Sequence, residues 1–177
     1  MEIIDNFIDQ IEFDKLQTEV MGGEFIWFYN DDIDIGKNDP DRNKYPKVDN
    51  FMFTHMFYFS GVMRSQDCGI LHPIFEIINP ISLWRIKANL LTRTPKIVEN
   101  IFHVDIANLG RYPEKLKHWT TSIFYMNTNN GYTEFEDGTK VESIANRMIT
   151  FPANLKHRGT SCTDQKIRVV INFDYFI

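Results

Sequence analysis

Cysteine is nearly absent. Cys68 and Cys162 are the only two in 177 residues, and they form no CxxC pair. Neither a disulfide framework nor a zinc–cysteine site is therefore expected, and both thiols are read as reduced. Long apolar runs are also missing. Nothing approaches the roughly 18 residues that cross a bilayer. The opening stretch MEIIDNFIDQ carries acidic residues where a signal peptide is basic. The expectation is a cytoplasmic protein with no membrane partner. Positive charge is not in excess: 19 Lys and Arg stand against 24 Asp and Glu, for a net charge of −5. That balance disfavours a nucleic-acid scaffold, although a local basic groove is compatible with it. Internal repeats and low-complexity tracts are lacking too.

What is present is an ordinary globular composition, 43% hydrophobic and 24% charged. The length suits one domain spanning 1–177, large enough to bury a core without staples. Fifteen Phe, seven Tyr and three Trp lean toward strands. The stretch IDQIEFDKLQTEV (8–20) reads as a helix, with Asp9 as cap, Glu12 at the capping-box position, and Ile11, Leu16 and Val20 in helical spacing. A strand is expected in GGEFIWFYN (22–30) after a Gly-Gly break. Residues 30–49 form a polar loop with six aspartates and two prolines. It reads either as a solvated connection or as a lid over a site, where Lys44 and Tyr45 would meet substrate.

Further strands are predicted over 51–59, 83–91, 96–106, 120–127, 132–142, 146–152 and 166–176, with a short helix over 72–79. Asp137-Gly138 marks a hairpin. Short strands separated by turns predict a sandwich, jelly roll or barrel, with one or two amino-terminal helices over one face.

The chemistry begins at IFHVDIANLG (101–110). With five histidines and fourteen aspartates in the chain, roughly 0.4 HxD triplets arise by chance, so the triplet alone is weak. On a strand, however, His103 and Asp105 point to one face and can share an ion. His157, after FPANLKH, is the best third ligand. Two histidines and one carboxylate suit non-haem Fe(II), and zinc accepts them as well. A cosubstrate site separates the two. Arg168 in KIRVVINF either faces water on an amphipathic strand or lies inside a barrel, where a guanidinium needs an anion such as a carboxylate. His118 reads as a rim histidine, His55 as a satisfied core residue and His72 as a helix start; Asp164 and Asp174 have no evident partner.

HVD, then IFYMNTNNGYTEFEDG, then NRMITFPANLKHRGT, then KIRVVINF together resemble the Fe(II)/2-oxoglutarate-dependent dioxygenases. The nearest branch is the prolyl-4-hydroxylase-like one with its small stand-alone bacterial and phage members. The resemblance covers roughly residues 84–176. It implies a mainly β fold with flanking helices, a double-stranded β-helix (jelly roll) with its core at about 84–176. It implies His103, Asp105 and His157 as metal ligands, and Arg168 as the partner of the distal carboxylate of 2-oxoglutarate. Many prolyl hydroxylases carry Lys there, so the arginine resembles the oxygen-sensing and demethylase branches more. Tyr125 matches the tyrosine that often binds the same carboxylate. Thr133 matches the Thr of a GGxT pattern of which only one Gly is kept. Asn89 is set aside, because its spacing to His103 is longer than in relatives.

The implied cofactor is Fe(II), with 2-oxoglutarate and O₂ as cosubstrates. The implied reaction hydroxylates a C–H bond of a peptide prolyl or other side chain, or of a small metabolite, releasing succinate and CO₂. Asp105 favours hydroxylation over halogenation, which needs that ligand position empty. The alternatives are a cupin-type metalloenzyme without 2-oxoglutarate and a non-catalytic jelly-roll binding module. Substrate would enter past loops at 30–49, 61–70 and 107–117.

Overall fold

The computed structural model describes residues 1–31, 33, 50–106 and 113–177. Most of the expected lid (30–49) and much of the 107–117 loop, with Lys44 and Tyr45, lie outside the described residues.

Two antiparallel sheets enclose the interior. The larger runs in the order β1 (Glu2–Ile4), β9 (Arg147–Pro152), β6 (Thr120–Tyr125), β11 (Ile167–Phe176), β5 (Ser82–Thr92), β3 (Met52–Phe59) and β2 (Phe28–Asn30), with β4 (Val62–Met63) paired to β3. The smaller runs β10 (His157–Gly159), β7 (Tyr132–Phe135), β8 (Lys140–Glu142). Ile123, Tyr125, Ile149, Phe151 and Val170 of the larger sheet pack against Phe135 and Val141 of the smaller one. This is the expected jelly roll. The β7–β8 turn is the expected Asp-Gly hairpin: Gly138 takes φ +85°, which only glycine adopts without steric cost, and Asp137 Oδ1 accepts from Thr139 N at 2.9 Å.

The outer face of the larger sheet is covered by α1 (Gln10–Val20) and α2 (His72–Ile78). Asp9 caps α1 by accepting from Ile11 N at 2.9 Å. The buried stripe of α1 is Phe13, Leu16 and Val20. Ile11, expected on that stripe, is 65% exposed, because Phe13 occupies the core-facing position instead. Glu12 pairs with Lys15. Three buried anchors at roughly 1.5–3 kcal/mol each hold the helix down; they meet Val169, Ile171 and Phe173 of β11.

The other face of β11 carries Arg168, Val170, Asn172 and Asp174, and every residue from Arg168 to Tyr175 is buried. The strand is thus enclosed on both sides, and its polar residues point between the sheets.

Two sequence expectations change. In 22–30 only Phe28–Asn30 is strand. The segment 96–106 is not a continuous strand; among the described residues its bridges are the isolated Glu99↔Thr160 and His103↔His157. Between them three residues, Asn100 to Phe102, oppose two, Arg158 and Gly159. This is a bulge, which re-aims the side chains that follow it. The carbonyl of Ile101 accepts from the His103 ring instead of entering a ladder. Arg158 turns outward, over the Phe102 ring at 4.5 Å, and pairs with Glu99 and Glu134, each at 2.6 Å.

Candidate functional site

His103 and Asp105 follow the bulge, and His157 opens β10 directly opposite. His103 and His157 exchange both backbone hydrogen bonds, at 2.9 and 3.0 Å. That pairing fixes the two imidazoles side by side, with ring centroids 5.0 Å apart. His103 Nε2 lies 3.6 Å from Asp105 Oδ1, and His157 Nε2 lies 3.7 Å from Asp105 Oδ2. One ligand atom from each of the three residues falls within 4.8 Å of the others. The far ring nitrogens are occupied: Nδ1 of His103 faces the Ile101 carbonyl at 2.9 Å, and Nδ1 of His157 faces the Leu155 carbonyl at 3.3 Å. A carbonyl only accepts, so each Nδ1 carries a proton, and each Nε2 is the ring nitrogen that faces Asp105.

Burial pushes the His157 pKa down to about 4, despite the pull of Asp105 in the other direction. At neutral pH this ring is neutral. The stability consequence has a definite sign. The native ring binds a proton only near pH 4, whereas the unfolded ring binds one near 6.5. Its contribution is complete above pH 6.5 and is lost as pH falls toward 4. A shift of this size corresponds to about 3 kcal/mol. Asp174 acts oppositely, because burial pushes its carboxyl up to about 7 and favours a protonated native state. The isolating measurement is therefore a difference. The metal-free stability gap between wild type and His157→Gln should move by about 3 kcal/mol in favour of the variant between pH 7 and pH 4. A gap independent of pH would mean that the ring is not held neutral by burial.

Behind Asp105 stands a chain of polar groups that the sequence did not bring out. Arg85 Nη2 donates to Asp105 Oδ1 at 2.7 Å, and Arg85 Nε donates to Asp174 Oδ2 at 2.9 Å. Thr121 donates to Asp174 Oδ1 at 2.9 Å, and Asn172 Nδ2 donates to Asp105 Oδ2 at 2.9 Å. One guanidinium thus serves two buried carboxylates. Burial works against the Asp105 charge, but Arg85 and the two imidazoles hold its pKa well below the usual carboxylate range. Asp174 is the carboxylate displaced upward. Both oxygens of Asp105 are anchored from behind, and those contacts set its orientation toward the histidines.

On the same cavity, the Arg168 side chain is 3% exposed. Its Nε donates to Ser143 Oγ at 2.8 Å, and its Nη2 to Thr133 Oγ1 at 3.3 Å. Among the described residues no carboxylate pairs with it, and burial pulls its pKa down. Tyr125 is fully buried beneath it, with the guanidinium carbon 5.7 Å from the ring centre. The Tyr125 hydroxyl donates to Thr133 Oγ1 at 2.8 Å. Thr133 thus accepts twice, and its own proton is left to donate. It borders the cavity, while Tyr125 supports it from behind.

Gly131 explains why one glycine of the GGxT-like stretch is kept. A Cβ there would come within 2.7 Å of Arg168 Cδ, 2.7 Å of the Ser161 carbonyl oxygen and 2.8 Å of Asn129 Oδ1. Gly131→Ala is expected to cost roughly 1–3 kcal/mol through overpacking, a fall of several degrees in Tm for a domain of this size. An unchanged Tm would show that Arg168 has room to move.

Asn89 and Asn100 also border the cavity, and each has a buried Oδ1 without a partner among the described residues. Ile33 and Met52 add apolar lining. Elsewhere His118 is exposed and His72 opens α2, pairing with Glu76 at 3.2 Å. His55 is buried as expected. Its Nδ1 faces the Ile26 carbonyl at 2.8 Å, but its Nε2 has no partner among the described residues.

No family model and no curated protein matches this chain. Solved structures do. A prolyl hydroxylase from Trichoplax adhaerens, in complex with a hypoxia inducible factor oxygen degradation domain peptide fragment, is 14% identical, with a TM-score of 0.66 over 99% of this chain and 82% of that one. The non-haem alpha ketoglutarate dependent epimerase SnoN from nogalamycin biosynthesis is 10% identical, with a TM-score of 0.62 over 98% of this chain and 76% of that one. A Pseudomonas putida prolyl-4-hydroxylase is 13% identical, with a TM-score of 0.52 over 99% of this chain and 92% of that one. At these identities the likeness establishes a common jelly-roll fold. No described helix is long and apolar enough to cross a membrane.

Proposed function

We propose that this protein is an Fe(II)- and 2-oxoglutarate-dependent oxygenase that hydroxylates a C–H bond of a small molecule or a peptide side chain, with release of succinate and CO₂. The observation that carries the reading is Arg168. It is a buried cation with no carboxylate partner among the described residues, on the same cavity as two histidines and a carboxylate. A buried charge is costly unless it is paired, and a cavity that brings such a cation beside a metal-type cluster fits an acid that touches both. The fold-sharing hydroxylases and the epimerase support the same reaction class.

The donor set fits the metal. His103 and His157 would each give Nε2, and Asp105 one oxygen, leaving further coordination positions open for cosubstrates. Bound iron supplies the activation of O₂ through oxidative decarboxylation of 2-oxoglutarate. The chain's own part is geometric and electrostatic. Arg85 and Asn172 keep Asp105 aimed, and the carbonyls of Ile101 and Leu155 keep both rings in one tautomer. Arg168 and Thr133 would orient the distal carboxylate, with Tyr125 and Ser143 holding them in place. Leu91, Ile123 and Val170 on the cavity wall limit water there.

An exposed Arg168 would have favoured a cupin-type metalloenzyme without 2-oxoglutarate, and loss of a ligand residue a non-catalytic module; neither condition holds. The direct test is succinate release. Protein reconstituted anaerobically with Fe(II) and 2-oxoglutarate, then exposed to O₂, should form succinate, faster when the correct substrate class is present. Peptide, amino-acid and nucleotide pools would each be tried. Succinate no higher than in the metal-free control, with every pool, would overturn the reading.

A further inference from the structure

Asn100 lies on the bulged segment three residues before His103. Its backbone N–H donates to the Gly159 carbonyl at 3.1 Å. The residue is 4% exposed and borders the cavity, yet among the described residues its side-chain amide makes no hydrogen bond: Oδ1 is a buried acceptor without a donor, and Nδ2 a donor without an acceptor. A buried amide left unpaired is uncommon and asks for a reason.

Gly159 shows where that amide points. A Cβ built on Gly159 would lie 3.4 Å from Arg168 Nη1 and 3.9 Å from Asn100 Nδ2. The two donors therefore converge on one small volume, which the missing side chain of Gly159 leaves open. Nη1 is the terminal nitrogen of Arg168 that neither Ser143 nor Thr133 occupies. Thr133, whose Oγ1 already accepts from Tyr125 and Arg168, borders the same cavity. Both nitrogens facing this volume are donors. A group with several lone pairs and a negative charge suits both at once, and a carboxylate is the simplest such group.

We propose that Asn100 is a further cosubstrate-binding residue, its Nδ2 donating to the same distal carboxylate that Arg168 holds. The inference rests on the 2-oxoglutarate reading above and adds a specificity element to it. Arg168 supplies the charge. Asn100, fixed to β10 through the Gly159 carbonyl, marks where the far carboxylate must end and so reads the length of the acid. Because Asn100 shares a segment with His103 and Asp105, a bound diacid would also tie that segment to Arg168 on β11.

The test uses the full chain loaded with Mn(II), which is redox-inert, and measures binding of 2-oxoglutarate and of pyruvate by isothermal titration. Pyruvate has the same 2-oxo-acid head without the distal carboxylate. Asn100→Leu keeps the branched outline and removes the donors. It should weaken 2-oxoglutarate about tenfold or more, the loss of one hydrogen bond to a charged group, while leaving pyruvate and Mn(II) affinities within about twofold. Asn100→Ser keeps a short donor and should fall between Leu and wild type. Arg168→Ala in parallel separates the two levels of the argument. If Arg168→Ala weakens 2-oxoglutarate but both Asn100 variants bind like wild type, Asn100 is not a ligand residue and the broader reading stands. An equal loss for pyruvate and 2-oxoglutarate in Asn100→Leu would also remove the proposal, since the effect would then not lie at the distal carboxylate. If wild type does not bind 2-oxoglutarate, the broader reading fails and this inference with it.

Discussion

Arg168→Ala should lose 2-oxoglutarate by roughly 30-fold or more while keeping its metal. Removing one partner of a buried, hydrogen-bonded charge pair costs on the order of 2–5 kcal/mol, and the lower end of that range is already about 30-fold in affinity. The environment argues for a large effect. The guanidinium is 3% exposed and is pre-oriented by Ser143 and Thr133, so little ordering is left for the ligand to impose. Arg168→Lys should be intermediate, because a point charge cannot keep Ser143, Thr133 and a carboxylate together as the planar fork does. The folding cost of the alanine variant should be modest, since among the described residues this desolvated cation has no counter-ion. The measurement is an anaerobic titration of the Fe(II) protein with 2-oxoglutarate, followed by its charge-transfer absorption. An unchanged midpoint in Arg168→Ala would separate Arg168 from the cosubstrate and return the cupin-type alternative to the front.

The second large effect concerns the metal. Asp105→Ala should bind Fe(II) at least about 100-fold more weakly, beyond the roughly 10- to 100-fold that outer partners of metal ligands typically contribute. His103→Ala should also lose most of its iron, but less severely. The reason for the ranking is Arg85. Its Nη2 lies 2.7 Å from Asp105 Oδ1, so removing the carboxylate deletes a ligand and also leaves beside the ion a guanidinium paired with Asp174 alone. The double variant Arg85→Met/Asp105→Ala should then recover part of the affinity lost in Asp105→Ala. Iron content after anaerobic reconstitution, with competition against a chelator of known affinity, gives both numbers. Wild-type iron in His103→Ala and Asp105→Ala alike would eliminate the three-residue site. A double variant no better than Asp105→Ala would show that Arg85 only supports the fold.

Several elements were legible in the sequence because their signals are local. The β11 strand announced itself by β-branched residues, and the Asp-Gly hairpin by its turn chemistry. The α1 helix was evident from its cap and spacing, although the choice between Ile11 and Phe13 for the core face was not, since either fits a helical period. His103 and Asp105 stood out by their spacing, but the premise of a regular strand beneath them did not hold. The bulge opposite Arg158 aims them, and a bulge depends on the partner strand. Arg85 escaped notice because it looks like one cation in an alternating strand. A usable hint was present: Arg168 and Asp174 stand six apart on one face of an otherwise apolar strand, which already implied buried charge in need of partners on its neighbours.

The amino-acid sequence by itself determined the strand-rich class, the order of the elements, and the set of residue types able to hold a metal and an acid, because periodicity, turn residues and side-chain chemistry act over a few positions. Only the tertiary structure decided which of those residues meet. Asp174 pairs with Arg85 across 89 residues of chain, and Asn172 with Asp105 across 67. Those contacts follow from the register of β11 against β5 and from the bulge opposite β10. Register is set by the collective burial of two sheet faces, where a slip of one residue would turn Arg168, Asn172 and Asp174 into the apolar core and the apolar residues into the site. No short stretch of sequence carries that information.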